Sequence, residues 1–324
     1  MLTIERLSAP PEGFLVRFPE DGLYYNAFQD ARVEGFDFGY LAVSRDEARV
    51  AVAPYFLMDF RLGTMLPDDS WLGGMLSRIK IKIACVGHPS VDLGQIDGEL
   101  SAPVLEIINR ELARHAPLVS YKGFDHDLPL GAGFVRARGL PVPVLKINGD
   151  YYSGLKSSRR NYLKRKMKLA SGLKYEERDD LPDRLIPHVY RLYLNVYQNA
   201  DIRLECLSMD YFYNTKAISK WLLFYEADTL IGFTQVLCKN GRMVHKYIGM
   251  DYASGRKHGL YFMLFLKAID VCARDGLTEL ELGVTAYEFK KKLGSHLVET
   301  HLYYRHNNRA LNWLLGKFYF LLEP

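Results

Sequence analysis

At 324 residues, 48% of them hydrophobic, with a net charge of +4, the chain is long enough for two domains with full cores and too apolar for wholesale disorder. So mild a charge does not by itself imply nucleic acid. Four cysteines far apart in sequence (Cys85, Cys206, Cys238 and Cys272) lack C-x-x-C spacing, which argues against a zinc site or disulfide framework and for reduced thiols.

The first residues, Met1-Leu-Thr-Ile-Glu-Arg6, have no basic lead followed by an apolar run. No apolar stretch free of charges reaches spanning length. A cytoplasmic chain without signal peptide or transmembrane segment is the expectation. Phe36–Val43 and Arg49–Leu57 read as a strand pair across the charged turn Ser44–Glu47, with Pro54 suited to a strand end or edge. Asp68–Ser70 and Gly73–Gly74 punctuate a loop. Ile79–Val86 reads as a third strand, Val104–His115 as a helix and Pro117–Lys122 as a strand. The first half is thus an α/β unit.

Residues 139–150 join the halves, with Pro141 and Pro143 stiffening the link and Val144–Ile147 as a strand. Asp150 or Ser153 is a candidate cap for a helix over Tyr151–Ala170. Between Lys156 and Lys174 that segment carries Arg159, Arg160, Lys164, Arg165, Lys166 and Lys168 and no acid. It reads either as a solvated basic face or as a grip on phosphate, from a nucleotide cofactor, a tRNA end or a membrane surface. Gly172 ends the helix and Leu173–Arg178 follows as a strand. Pro182–Ala200 is an amphipathic helix, residues 201–205 a loop or short strand, Met209–Ser219 a helix capped by Ser208, and Trp221–Ala227 a strand.

Thr229–Cys238 and Met243–Met250 form a hairpin across Lys239-Asn-Gly241. The glycine-flanked basic loop Ser254–Gly259 opens into a mostly buried helix, Leu260–Arg274, stopped by Gly276. Leu277–Gly283 is a strand and Thr285–Leu293 a helix carrying Lys290, Lys291 and Lys292. A basic loop at a helix N-terminus suits an anion. Val298–Tyr304 reads as a strand. Asn308–Leu322 is a helix that either closes the core or lies on a membrane surface.

This order of elements, with Arg256-Lys-His-Gly259, resembles the donor-binding core of the GNAT acyltransferase superfamily, whose pyrophosphate loop reads Arg/Gln-x-x-Gly-x-Gly/Ala. Tyr261 stands where that pattern has its last small residue. The run Tyr151–Lys168, Gly259-Leu-Tyr261, Leu282-Gly283, Tyr287-Glu-Phe-Lys290 and Gly294 resemble the FemAB-like branch. Its members are tandem GNAT domains and include aminoacyl-tRNA-dependent peptidyltransferases of cell-wall synthesis. The resemblance implies an α/β fold of two tandem GNAT-like domains, each a mixed central sheet flanked by helices. A degenerate copy would span 1–148 and an acyltransferase domain 149–324. It further implies transfer of an acyl group from acyl-CoA or a carrier thioester to an amine by direct attack. Aminoacyl-tRNA-dependent peptidyl transfer and a catalytically idle binding protein are the alternatives. Donor contacts would fall to Arg256, Lys257, His258, Gly259 and Leu260, with no metal. Partners would be an amine-bearing small molecule or peptide, and a tRNA or acyl carrier protein.

Acyl transfer to an amine needs a neutral amine, a polarised carbonyl and a proton for the leaving group. Glu281 is a candidate base, or else a solvated strand residue. His245 and Tyr247 lie two apart on one strand face, opposite Lys246, and either suits proton transfer or plain packing. Lys290 matches the family lysine by resemblance. Its ammonium would meet a phosphate or developing negative charge, unless it is one of a solvated trio. Arg203, Glu205 and Tyr287 are candidates for the acceptor. No G-x-S-x-G, P-loop or H-E-x-x-H is present.

Overall fold

The computed structural model describes residues 1–61, 80–200, 203 and 205–323. The loop expected at Asp68–Gly74 and most of that at 201–205 lie outside the described residues, as does Ile79. The chain divides into two compact units, one of Met1–Leu15, Glu34–Pro141 and Val298–Pro324, the other of Val16–Val33 and Val142–Leu297. The chain changes unit between Pro141 and Val142, and two segments group with the other unit. One holds helix α1 (Gly22–Asp30), whose Tyr24 and Phe28 rings pack edge-on against Tyr211.

The first unit holds β1 (Leu2–Leu7), β2 (Asp37–Arg45), β3 (Ala48–Arg61), β4 (Lys80–Val86), β5 (Asp97–Gly98), α2 (Ala102–Leu112), β6 (Leu118–Phe124), β7 (Val135–Arg138), β15 (His301–His306) and α9 (Arg309–Lys317). Its sheet runs β1-β2-β3-β4-β6-β15-β7, with β5 beside β3. β4 and β6 pair in parallel, and α2 makes the crossover, burying Val104, Leu105, Ile108 and Leu112 against the sheet. Pro54 sits mid-strand, not at an end. Its carbonyl accepts from Gly87 N at 3.0 Å, so its missing N–H faces the gap between the β5 and β4 ladders.

The second unit holds α1, then β8 (Val142–Lys146), α3 (Ser157–Leu169), β9 (Lys174–Arg178), α4 (Ile186–Gln198), α5 (Met209–Thr215), β10 (Lys220–Glu226), β11 (Thr229–Lys239), β12 (Arg242–Met250), α6 (Tyr252–His258), α7 (Leu260–Arg274), β13 (Glu279–Glu281), α8 (Tyr287–Leu293) and β14 (His296–Val298). Its sheet runs β14-β8-β13-β12-β11-β10-β9. Asn240 and Gly241, both at positive φ, turn the β11–β12 hairpin as their types predict. Adjacent residues of β11 mark the two faces. Thr234 Oγ1 donates to Leu264 O of α7 at 2.8 Å, while Gln235 Nε2 donates to Thr215 Oγ1 of α5 at 3.0 Å.

Several expected elements change extent. The basic helix begins at Ser157, because Tyr151–Gly154 form a turn that takes up the expected caps. Asp150 Oδ1 accepts from Tyr152 N, and Ser153 Oγ donates to Asp150 O. Ser208 stands at the N-cap of α5, but its hydroxyl donates to Ala31 O. The basic stretch expected as a loop is helix α6, started by Asp251, whose side chain accepts from Ser254 N. The C-terminal helix, for which the sequence left open closure of the core or a place on a membrane surface, buries none of its described residues.

Candidate active site

β12 and β13 are parallel neighbours over three residues, Arg242–Val244 against Glu279–Glu281. Past Val244 and Glu281 their pairing ends, and this break in the ladder at the carboxyl ends of two parallel strands is the opening of the candidate site. That is where ligands bind in open α/β sheets.

A bulge in the β11–β12 ladder follows at once. Val236 of β11 pairs with His245 and Gln235 with Tyr247, so Lys246 is the extra residue in β12. A bulge breaks the two-residue alternation. His245 and Tyr247 therefore face opposite sides of the sheet, not the same side as expected. Lys246 and Tyr247 share the face covered by α1, α4 and α5.

On the α7 face, His245 is buried and lies flat on Phe265, with ring centres 4.4 Å apart. Its Nε2 is 3.3 Å from Leu264 O, a group that can only accept, so Nε2 carries the proton. Burial, then the charge of Lys290, pushes its pKa down to about 3. His245 is thus neutral and a weak base. Phe289 packs on both Phe265 and Tyr261, with centres 4.9 and 4.8 Å away. Tyr261, which stands where the pyrophosphate-loop pattern has a small residue, is half-buried against these rings, and burial lifts its hydroxyl to about 12.

Lys290 does not belong to a solvated trio. It is 4% exposed, whereas Lys291 and Lys292 are exposed. Its Nζ donates to Gly283 O and Val284 O, both at 2.8 Å. These carbonyls end β13, where Gly283, Thr285 and Ala286 take left-handed backbone conformations. The ammonium fixes that kink and so one edge of the opening. Tyr287, the first residue of α8, lies one turn before it.

On the opposite face stands Glu281, 7% exposed, in register with Val244 and Val144. Leu280 and Leu282, its neighbours, join the α7-side core, so the strand alternation turns Glu281 the other way. It is a buried carboxylate, not a solvated one. Lys246 Nζ pairs with Glu20 Oε1 at 2.6 Å, their side chains 5% and 3% exposed, and sits 4.8 Å from the Tyr24 ring. Tyr247 OH donates to Glu205 Oε1, between the rings of Tyr193 and Tyr211. Burial, then Glu205, raises Tyr247 well above a free phenol. Tyr211 OH donates on to Gln235 Oε1 at 3.1 Å. The structure thus joins Tyr247 and Glu205, which the sequence offered for separate roles. Arg203 is exposed, donates to Gln198 O at 2.8 Å and does not join them. Sequence reading missed Glu20 and Tyr24, which carry no local signal and reach the site from the other end of the chain.

The expected donor residues gather at the α6–α7 junction. Arg256 is exposed in the last turn of α6. Lys257 Nζ and His258 Nε2 both contact Glu226 Oε1 at 2.9 Å. Hydrogen bonds from His258, Lys257 and Ser254 hold the Glu226 carboxyl down at about 2. Gly259, at φ 60°, joins the helices, and Leu260 is buried in the core. A side-chain carbon built on Gly259 would meet Leu169 Cδ1 at 3.8 Å and Lys166 O at 3.9 Å. The last turn of α3 therefore lies against the start of α7, with Lys166 Nζ 4.7 Å over the Phe262 ring.

A cavity of about 260 Å³, lined by Met167, Tyr175, Phe224, Met263 and Lys267 among others, shares no lining residue with the groups around the opening. Among the described residues no cluster of three or more His, Cys, Asp or Glu could hold a metal ion. Among them, too, no helix is long and apolar enough to cross a membrane.

Residues 157–291 match the family described as the acetyltransferase (GNAT) domain. No curated protein matches the sequence. Among solved structures, the chain is similar to FemX at 13% identity and TM-score 0.58, over 96% of this chain and 100% of that one. A tandem GNAT protein from the clavulanic acid biosynthesis pathway gives 14% identity and TM-score 0.51, over 95% and 99%. The C-terminal domain of a putative lysylphosphatidylglycerol synthetase from Agrobacterium fabrum gives 11% and 0.51, over 81% and 84%. Two mixed sheets flanked by helices, a GNAT match across the core of the second, and these neighbours agree: residues 157–291 carry a GNAT acetyltransferase domain, and the chain has a fold of two GNAT-like units in tandem, similar to that of FemX and of the tandem GNAT protein.

Proposed function

We propose that this protein transfers an aminoacyl group from tRNA to an amine acceptor through the opening between β12 and β13. The acceptor nitrogen attacks the acyl carbonyl directly. The new C–N bond forms as the ester C–O bond to the tRNA ribose breaks. Glu281, on the acceptor face, takes the one proton that the attacking amine gives up and returns it, through water, to the leaving ribose oxygen, so that the carboxylate is restored. Glu281 suits this role by position, since it ends β13 on the sheet face that Tyr247 shares. His245, held neutral, is not the base. Lys290 keeps the kinked end of β13 in place and adds positive charge beside the reacting carbonyl. Tyr247, Glu205 and the surrounding tyrosines, on the same face as Glu281, form the acceptor side.

One observation carries the choice of donor. The acid-free basic helix α3 lies against Gly259 at the start of α7, and Tyr261, packed on Phe289, replaces the last small residue of the pyrophosphate-loop pattern. A long basic helix suits a polyanion such as a tRNA end. The fold likeness to FemX, and to a domain whose name joins a lysyl group to phosphatidylglycerol, supports aminoacyl chemistry.

A second reading keeps the acyl-CoA or carrier-thioester donor, on the strength of Arg256-Lys-His-Gly259, the exposed Arg256 and the likeness to a tandem GNAT protein described as without AcCoA. Filter binding of aminoacylated total tRNA over a salt series, beside thermal shifts with acetyl-CoA, separates the two. Neutralising Lys164, Arg165 and Lys168 to Gln should lower tRNA affinity and flatten the salt slope by about 0.7–0.9 for each phosphate that is no longer neutralised. A shift with acetyl-CoA that Arg256→Ala abolishes would favour the second reading.

A further inference from the structure

Eleven large apolar side chains are exposed among the described residues, and six of them, Leu311, Trp313, Leu314, Phe318, Tyr319 and Phe320, fall within ten residues at α9 and its continuation. The helix is securely placed. Asn308 caps it, its side chain accepting from Ala310 N and Leu311 N. Asn312 Nδ2 donates to Gly133 O and its Oδ1 accepts from His306 N. Leu315 packs on the cluster of Phe56, Ile83, Cys85 and Leu118. A helix docked by this one narrow stripe presents its remaining apolar side chains to solvent.

Charge selects what covers them. From Thr300 to Leu322 the sequence has no Asp or Glu and carries Arg305, Arg309 and Lys317. Lys317 Nζ lies 5.7 Å from the Trp313 ring. Against a second copy of the same face, Arg309 and Lys317 would meet like charges. Against an anionic lipid surface they are complementary, while Trp and Tyr rings suit the headgroup boundary. α9 has nine residues, far too few to span, so it would lie in the plane of the surface.

We propose that α9 and residues 318–320 form an interfacial anchor that docks this protein on an anionic membrane. This goes beyond the acyl-transfer reading and does not depend on it.

The test is cosedimentation of the full chain with sucrose-loaded vesicles of phosphatidylcholine, with and without phosphatidylglycerol. Binding to the mixed vesicles, weakened by salt, is expected, with a blue shift in tryptophan emission that Trp313→Phe removes. The triple variant Trp313→Ser/Phe318→Ser/Phe320→Ser should lower partitioning at least about tenfold. Its melting temperature should hold, because these side chains are exposed. Arg309→Gln/Lys317→Gln should abolish the preference for phosphatidylglycerol. Failure to cosediment would overturn the proposal. So would light scattering that shows a dimer dissociated by the triple variant, since the face would then be a self-interface.

Discussion

Lys290 and His245 make a coupled pair whose removal is measurable without a substrate. Replacing Lys290 by Met keeps volume but deletes an ammonium that donates to two carbonyls at 2.8 Å. Hydrogen bonds to charged groups are each worth about 1.5–3 kcal/mol, so the loss should reach roughly 3 kcal/mol before relief from burying a charge is subtracted. The second effect falls on His245, whose pKa is about 3 in the fold, first through burial and then through Lys290. Because the folded value lies below the unfolded one near 6.5, the unfolded chain takes up the proton first. Stability is therefore full above about pH 6.5 and falls as pH drops toward 3, by up to roughly 1.4 kcal/mol per pH unit. Urea unfolding at pH 7.5 and 5.5 measures this. The native protein should lose about 1.4 kcal/mol more than His245→Gln over that interval. In Lys290→Met, an NMR titration of the imidazole should show the pKa raised but still below 6.5, since burial remains. Identical pH dependence in native protein and His245→Gln, or an unmoved imidazole in Lys290→Met, would refute the coupling.

Glu281→Gln should lower the transfer rate at least about a hundredfold while leaving the melting curve in place, the signature of a lost base and not of a lost fold. Gly249→Ala should destabilise by several kcal/mol, roughly, because the added carbon would stand 2.7 Å from backbone atoms of Leu192 and Tyr193, which cannot yield as a side chain would. Lys246→Met alone should destabilise the fold in chemical denaturation, because it removes the cation that pairs with the buried Glu20 carboxylate. Adding Glu20→Gln should recover part of that, and a double variant no better than the single would show that the two charges do not depend on each other.

Much of the second unit was legible because its signals are local. Asn240-Gly241 fixes the hairpin through positive φ, and the Leu-, Met- and Phe-rich run to Arg274 is buried on most of its surface. The misreadings share a cause, in that spacing alone does not record tertiary partners. The bulge at Lys246 has no residue signature, so His245 and Tyr247 were assigned one face. Glycines at 255 and 259 suggested a loop. Gly255 instead packs inside α6, where an added side-chain carbon would lie 3.6 Å from the Leu260 side chain. The apolar residues after Asn308 left core and membrane surface open, and only one stripe of α9 faces the sheet. Lys290 looked like its charged neighbours, and only the kink at Gly283 and Val284 explains its burial.

Whether the opening between β12 and β13 receives an aminoacyl group from tRNA is decided most directly by a single-turnover assay. Labelled aminoacyl-tRNA would be given with a set of amine acceptors, beside the same reaction with labelled acetyl-CoA. Label should move from tRNA to an amine, slowed by Glu281→Gln and by neutralising the exposed cations of α3. Transfer from acetyl-CoA, with none from tRNA, would contradict the aminoacyl reading.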